Sequence, residues 1–228
     1  MSHRILFYVQ HLLGMGHLMR ATRIAGAMVA AGMDVELVLG GEPVGGVDTH
    51  GARVTYLPPV KAESANFSSL LTGEGLPADT AYLDRRRDLL LSVLDRVRPD
   101  AVITEAYPFG RRIMRFELVP LIARARAMSP RPLIACSIRD ILQRNPKPGP
   151  MRDTVATIAG GYDAVLVHGD RAFAAIEETF PAAAEFAGKI HYTGVVGPPP
   201  ETVSRAVADP ADVVVAAGGG RGGRNLMR

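Results

Sequence analysis

The sequence predicts a doubly wound α/β domain on a mainly parallel β-sheet, and three observations lead to that expectation. Short apolar runs alternate with helical stretches along most of the 228 residues, which is the pattern of a parallel sheet covered by helices on both faces. Hydrophobic residues make up 47% of the chain against a net charge of only +3, so a disordered chain is excluded. The single cysteine, Cys136, excludes a disulfide framework and a thiolate zinc site, and its apolar surroundings predict a buried, inert thiol.

Strands are predicted at the apolar runs that turn residues bound. These runs are residues 5–9, 35–39, 53–57, 101–104, 133–138, 164–167 and 190–195. Helices are predicted between them, at residues 17–31, 80–97, 111–128 and 153–159 and from about residue 171. The first helix shows the helical pattern most clearly. Its apolar residues Leu18, Ala21, Ala25 and Met28 share one face at a period of 3.6 residues, and Gly32 is a fitting terminator.

Glycine and proline set three further expectations. Residues 61–79 are polar and contain two glycines and a proline, so we expect a long loop there. The proline-rich residues 145–150 are also expected to form a loop. Pro120 lies within a predicted helix and should kink or split it, because proline has no backbone N–H to donate.

The composition changes after the seventh predicted strand. Residues 196–210 include three consecutive prolines and are typical of a linker. Residues 211–228 begin with an apolar strand that runs into a glycine turn, an arrangement that normally opens another β-α unit. We therefore expect one domain over residues 1–195 and the start of a second over residues 211–228. The glycines of that turn are Gly218, Gly219 and Gly220.

The strongest local signal lies between the first strand and the first helix. Gly14 and Gly16 allow a tight turn and a close approach to a ligand, and the free N–H groups of a helix start suit a phosphate. The helix dipole keeps the ring of His17 neutral and able to accept a proton. His17 is therefore a candidate general base or a binder of phosphate and hydroxyl groups, and the alternative is that it only caps the turn. The third glycine of a dinucleotide fingerprint would stand at position 19, where this chain has Met19, followed by Arg20.

Polar residues also follow the fourth predicted strand. Glu105 lies at its carboxyl end, which is the edge where ligands of doubly wound sheets bind. Arg111 and Arg112 begin the next helix, where the dipole disfavours cations. An anionic ligand or a partner carboxylate would explain the two arginines, and a solvated surface pair is the alternative.

The next two strands end in the same way. Arg139 and Asp140 follow the fifth strand and could form an internal ion pair instead of a binding site. His168 and Asp170 follow the sixth, and Asp170 could simply cap the next helix. A polar residue at the end of one strand is not informative by itself, but polar residues at four strand ends that converge on one crevice predict a binding site.

Several classes of protein are disfavoured. The chain has no tryptophan, 6% aromatic residues and no basic run longer than the three arginines at 85–87, so nucleic-acid binding is not expected. The N-terminus lacks the apolar stretch of a signal peptide, and no run is long enough to span a membrane. A cytoplasmic protein is expected. The arginine-rich helix 111–128 could lie on the inner face of the cell membrane, although packing on the sheet is the favoured interpretation.

Six stretches, taken together, resemble the MurG-like, family-28-type glycosyltransferases of the GT-B fold, and most closely a bacterial group of predicted glycosyltransferases. They span nearly all of the chain up to residue 195. The stretches are residues 11–20, 105–112, 116–121, 137–142, 165–170 and 192–194. The resemblance implies two facing Rossmann-like domains, with residues 1–195 as the acceptor side and residues 211–228 as the first strand and glycine loop of a donor-binding domain.

The resemblance further implies an inverting, metal-independent transfer of a glycosyl group from a nucleotide sugar to a glycan or lipid-linked acceptor, with no cofactor. His17 is the candidate base and Glu105 the second catalytic candidate. Candidates for binding substrate or phosphate are Gly14, Gly16, Arg20, Arg111, Arg112, Arg139, Asp140 and His168. Gly218, Gly219 and Gly220 would be the remnant of the donor site.

The chain departs from the family where the donor domain begins, so we expect a truncated chain that is inactive alone. Residues 221–224 also lack the small apolar side chains expected after the glycine turn. One alternative is a nucleotide-sugar hydrolase of the GT-B fold with the same histidine, although residues 105–112 and 137–142 fit the transferase group better. Another alternative is a non-catalytic, acceptor-binding remnant.

Overall fold

A computed structural model describes residues 2–12, 14–63, 69–143 and 148–197 and places a parallel sheet at the centre of the protein. The strands within these ranges are β1 (Arg4–Val9), β2 (Asp34–Leu39), β3 (Arg53–Tyr56), β4 (Val60–Ala62), β5 (Leu70–Thr72), β6 (Ala101–Glu105), β7 (Leu133–Arg139), β8 (Ala164–His168) and β9 (Ile190–Tyr192). The α-helices are α1 (Gly16–Ala30), α2 (Thr80–Val97), α3 (Arg115–Arg126) and α4 (Pro148–Gly161). Short 3-10 helices lie at Arg112–Met114, Ile176–Glu178 and Pro181–Lys189.

Seven strands form the main sheet in the order β3-β2-β1-β6-β7-β8-β9, and every pair is parallel. The chain moves outward from β1 to β3 and then returns to place β6 on the other side of β1. This reversal puts a topological switch point between β1 and β6, and ligands of doubly wound sheets bind beyond the strand ends at such a point. The predicted doubly wound parallel sheet is confirmed.

Helices cover both faces of the sheet and divide the core in two. The buried side chains of α1 that meet the first face include Leu18, Ala21 and Ala25, which pack on apolar residues of β1 and β2. The three remaining α-helices lie on the second face, where Leu94 of α2 and Leu121 of α3 are fully buried. The periodicity that predicted α1 therefore identified its buried face.

A buried ionic cluster joins the carboxyl ends of β1, β2 and β3. Arg86 of α2 is fully buried and donates from Nε to Glu117 Oε2 at 2.7 Å. Its terminal nitrogens donate to Gly40 O at 2.7 Å, to Pro58 O at 2.6 Å and to Gln10 Oε1 at 2.6 Å. The loops that follow three strands are thus fixed by one guanidinium, whose five donors suit several acceptors at once.

The predicted loop is wrong in part, and one of the two outcomes expected for Pro120, a split helix, is not observed. The predicted loop over residues 61–79 includes the antiparallel hairpin of β4 and β5. Its strands of three residues are too short to show an alternating pattern. Pro120 does not split its helix, since α3 begins at Arg115 and continues past the proline to Arg126. Because Pro120 lies near the start of α3, its ring costs the helix only one early hydrogen bond.

Three boundaries also differ. The predicted α-helix from residue 171 is replaced by two 3-10 helices, and Pro181 starts the second of them. Helix α4 is longer than predicted because Pro148 and Pro150 fall in its first turn, where a missing N–H costs nothing. The last strand ends at Tyr192 rather than at residue 195. The predicted second domain, with Gly218, Gly219 and Gly220, lies outside the described residues.

None of the helices in the described ranges combines the length and the apolar character that crossing a membrane requires. The arginine-rich helix α3 instead packs on the sheet through Leu118, Leu121 and Ile122, and Arg124 pairs with Asp95 at 2.6 Å.

Candidate functional site

The switch point brings together three of the predicted site residues. His17 and Arg20 lie on the first turns of α1, and Glu105 is the last residue of β6. His17 Nδ1 lies 2.9 Å from Glu105 Oε1, and an Nη2 atom of Arg20 contacts the same oxygen. The pattern that predicted a shared crevice therefore identified residues that touch although they are 85 or more positions apart.

Glu105 is an ionised carboxylate in the protein interior. Its side chain has no exposed surface, and burial alone would raise the pKa of the carboxyl group. The hydrogen bond with His17, the positive charge of Arg20 and a hydrogen bond from Ser137 outweigh burial, so the pKa of Glu105 is lowered overall. The site thus holds a fixed negative charge directly beneath His17.

The charge of Glu105 selects the tautomer of His17. Nδ1 of His17 lies 2.9 Å from Oε1 of Glu105 and 3.4 Å from Nη2 of Arg20. The carboxylate oxygen is the nearer partner and can only accept a hydrogen bond, so Nδ1 carries a proton and donates to Oε1. In the neutral ring Nε2 then keeps its lone pair, and no described residue hydrogen-bonds to it. The side chain is 30% exposed. The tautomer with Nδ1–H therefore has the lone pair of its ring on Nε2, in a side chain that is partly exposed.

Glu105 is also connected to the two strands beyond it. Ser137 Oγ of β7 donates to Glu105 Oε2 at 2.5 Å. His168 Nε2, at the end of β8, lies 2.9 Å from Ser137 Oγ. Thr193 Oγ1 lies 2.6 Å from His168 Nδ1. Burial lowers the pKa of His168 to about 4, an effect that the charge of Arg20 adds to and the charge of Glu105 opposes.

The loop before α1 presents backbone to the same side of the sheet. No side chain caps the N-terminus of α1 at Met15. A Cβ atom built on Gly14 or Gly16 would meet no heavy atom within 4 Å in the described part of the chain. A side chain at Gly14 or Gly16 would thus meet no described neighbour, and phosphate binding by this loop stays a prediction.

His11 and Arg111 line the buried side of the site, which we call its inner wall. Arg111 Nε donates to Gln10 O at 2.9 Å, and burial lowers the pKa of its guanidinium. His11 lies 2.9 Å from the carbonyl oxygen of Glu42 through Nε2, which must be the donor. Its Nδ1 atom is then a buried acceptor without a hydrogen bond among the described residues. Burial chiefly lowers the pKa of His11, so this ring is neutral.

Three other predicted site residues, Arg112, Arg139 and Asp140, make no hydrogen bond or ion pair with His17, Arg20 or Glu105 among the described residues. Arg112 donates to Thr154 Oγ1 of α4 at 2.9 Å, on the opposite face of the sheet. Arg139 is exposed at the end of β7. Asp140 accepts from the N–H of Ile141 at 2.8 Å and packs so closely on Gly169 that a Cβ there would lie 2.3 Å from its carboxylate.

Asp170 does not cap a helix. Its Oδ1 atom accepts from the N–H of Ala172 at 2.8 Å and closes a turn.

Sequence reasoning missed Ser137 and Thr193. Ser137 pairs directly with Glu105 in the register of the sheet, so its side chain shares the face of Glu105. Ser137 lies two residues before the end of β7, whereas the sequence predicted site residues only at or just after the end of each strand.

Cys136, the neighbour of Ser137 on the other face, is fully buried, as predicted, and burial raises the pKa of its thiol far above the usual value. In the described ranges no cluster of three or more histidine, cysteine or acidic side chains is arranged to hold a metal ion.

Solved structures with a similar fold include enzymes of two kinds. A glycosyltransferase from Rickettsia africae ESF-5 matches at a TM-score of 0.52 and 12% identity, over 84% of this chain and 42% of that one. A UDP-N-acetylglucosamine 2-epimerase from Rickettsia bellii matches at a TM-score of 0.51 and 12% identity, over 86% and 45%. MurG from Acinetobacter baumannii matches at 0.43 and 11% identity, over 75% and 42%. No protein-family model matches the chain, and no curated protein matches it.

The chain thus spans less than half of the length of these neighbours. A similar fold occurs in a transferase and in an epimerase, so the fold does not determine the reaction. The chain has the Rossmann-like α/β fold of one half of a GT-B enzyme, as the sequence predicted.

Proposed function

We propose that this chain forms the acceptor side of a glycosyl-transfer site, in which His17 is the general base. The observation that carries the proposal is the contact of His17 Nδ1 with the buried carboxylate of Glu105 at 2.9 Å. This contact leaves Nε2 as a proton acceptor at the carboxyl edge of the sheet. Arg20 balances the charge of Glu105, because it contacts the same carboxylate oxygen.

In the proposed step, Nε2 of His17 takes the proton from an acceptor hydroxyl group as its oxygen attacks the anomeric carbon of a nucleotide sugar. The bond from that carbon to the diphosphate oxygen breaks on the opposite side, so the configuration inverts. The carboxylate of Glu105 stabilises the imidazolium that forms, which is the usual role of a buried acid behind a histidine base. No metal ion or cofactor is needed for this step.

We propose that the backbone around Gly14 and Gly16 faces the diphosphate. The N–H groups at the start of α1 would stabilise the negative charge that develops on the leaving group. Arg111 lies on the inner wall of the site and would add positive potential there. The donor is then a nucleotide sugar and the acceptor a glycan or a lipid-linked sugar, with the protein in the cytoplasm or on the inner face of the membrane.

The chain spans 42% of the glycosyltransferase from Rickettsia africae and 45% of the epimerase from Rickettsia bellii, and we expect it alone to bind an acceptor without transferring sugar. The test is a panel of glycan and lipid-linked acceptors in ligand-observed NMR, with the wild-type chain, His17→Ala and Arg23→Ala. Arg23 lies on the exposed side of α1 and serves as a matched control. We expect His17→Ala to weaken acceptor binding about 2–10-fold, the effect of one hydrogen bond, and Arg23→Ala to leave it unchanged.

Nucleotide sugars are assayed in parallel by mass spectrometry with and without acceptor. Release of free sugar into water without an acceptor would support the hydrolase instead, and an epimerised nucleotide sugar would support an epimerase. Acceptor binding that is equal in all three chains would contradict the proposed role of His17. If no acceptor binds, the acceptor-side proposal is wrong.

A further inference from the structure

A single line of hydrogen bonds crosses four neighbouring strand ends of the sheet. It runs from Thr193, which follows β9, to His168 of β8, to Ser137 of β7 and to Glu105 of β6, over 2.6, 2.9 and 2.5 Å. Ser137 and Glu105 are direct register partners, and His168 and Thr193 lie on the same face because side chains alternate along each strand. The line therefore ends on the carboxylate that contacts His17.

The chemistry of these groups fixes the direction of every hydrogen bond. The carboxylate of Glu105 can only accept, so the one proton of the Ser137 hydroxyl points to Oε2. The Ser137 oxygen must then accept from Nε2–H of His168. The neutral ring of His168 has a lone pair on Nδ1, which accepts from the hydroxyl group of Thr193. All donors point toward Glu105.

We propose that Thr193, His168 and Ser137 form a relay that orients the carboxylate of Glu105 toward His17. His168 and Ser137 are thus positioning residues for the base and do not touch the substrate. The inference rests on the proposed role of His17.

The relay acts through the two oxygens of one carboxylate. Ser137 holds Oε2, and this leaves Oε1 directed at His17 Nδ1. Without the donor on Oε2, the carboxylate of Glu105 can rotate about its terminal bond, and its contact with His17 loses a fixed geometry. Ser137 is 1% and His168 8% exposed, so bulk water does not readily replace a lost partner.

The experiment uses two substitutions of His168 that separate its two nitrogens. In His168→Gln the side-chain amide nitrogen reaches the position of Nε2 and keeps the donor to Ser137. In His168→Asn the amide oxygen mimics Nδ1 and keeps the contact with Thr193, but the donor to Ser137 is lost. A second pair, Ser137→Ala and Ser137→Thr, removes or keeps the hydroxyl group. Two-dimensional amide spectra check that each variant is folded.

Two NMR signals give the readout in the 228-residue chain, without any turnover. The ¹³C signal of the Glu105 carboxyl group gives its titration midpoint, and the ¹⁵N signals of His17 at alkaline pH show which nitrogen carries the proton. We expect His168→Asn and Ser137→Ala to raise the Glu105 midpoint by about one pH unit, as the loss of a hydrogen bond to a charged group implies. They should also reduce the Nδ1–H form of His17. His168→Gln and Ser137→Thr should resemble the wild type.

A role in packing alone predicts a different result, since both substitutions of His168 remove the ring. Equal effects of His168→Gln and His168→Asn would therefore overturn the relay, as would unchanged signals in Ser137→Ala. If both signals respond as expected while no hydroxyl acceptor binds, the relay stands and the proposed function is wrong.

Discussion

His17 Nδ1 and Glu105 Oε1 lie 2.9 Å apart, although the residues are 88 positions apart in the chain. The contact exists because β1 and β6 are neighbours in the sheet, so that the loop after β1 and the last residue of β6 meet at the switch point. It turns a partly exposed histidine into one with a defined tautomer. The proposed role of His17 as a general base depends on that tautomer.

The buried pair of Arg86 and Glu117 should be essential for stability. Arg86→Met is expected to lower the free energy of unfolding by about 3–5 kcal/mol, because it removes the cation that pairs with a fully buried carboxyl group. Urea denaturation followed by circular dichroism measures the change. Arg124→Met is the control, since it breaks an exposed pair with Asp95 and should have little effect. Equal losses in the two variants would contradict the structural role of Arg86.

Gly40 should tolerate no side chain. A Cβ atom there would lie 2.0 Å from Arg86 Nη2 and 2.2 Å from Gln10 Oε1, and both side chains are fully buried. Gly40→Ala is therefore expected to cost about 1–3 kcal/mol of stability. Gly45→Ala is the control, because a Cβ at Gly45 meets nothing within 4 Å. A thermal shift that is the same for both variants would show that the cluster around Arg86 can move aside.

Stability should fall in mild acid because of His168. Its pKa is lowered from 6.5 to about 4 in the folded chain, so between these values the unfolded chain binds a proton that the folded chain does not. The part of the free energy of unfolding that depends on a neutral His168 is complete above pH 6.5 and is lost as the pH falls through about 4. Between pH 7.5 and 5 the wild type should therefore lose about 2 kcal/mol more than His168→Gln. Parallel losses in the two chains, measured by urea denaturation, would contradict the burial of a neutral His168.

The sequence predicted the sheet well because its buried strands are continuous apolar runs between turn residues. It also predicted that His17 and Glu105 lie close together, as they do, since the carboxyl ends of parallel strands share an edge. It could not show on which face each side chain lies after the strand has ended. Arg112 is the example, because a left-handed Arg111 (φ 57°) and a 3-10 turn direct the chain to α4.

Ser137 and the hairpin of β4 and β5 escaped prediction for other reasons. Ser137 contacts Glu105 because the two residues are partners in the pairing of β7 with β6. This register depends on both strands, and the sequence of one strand does not show it. The hairpin has too few residues to show a period.

The ¹⁵N spectrum of the His17 ring at alkaline pH shows which of its two nitrogens carries the proton. In the 228-residue chain, Nδ1 should resonate as a protonated nitrogen and Nε2 as an unprotonated one, and Glu105→Gln should reduce this preference. A ring that carries its proton on Nε2 would have no lone pair toward the open side of the site. That result would contradict the role of His17 as the base.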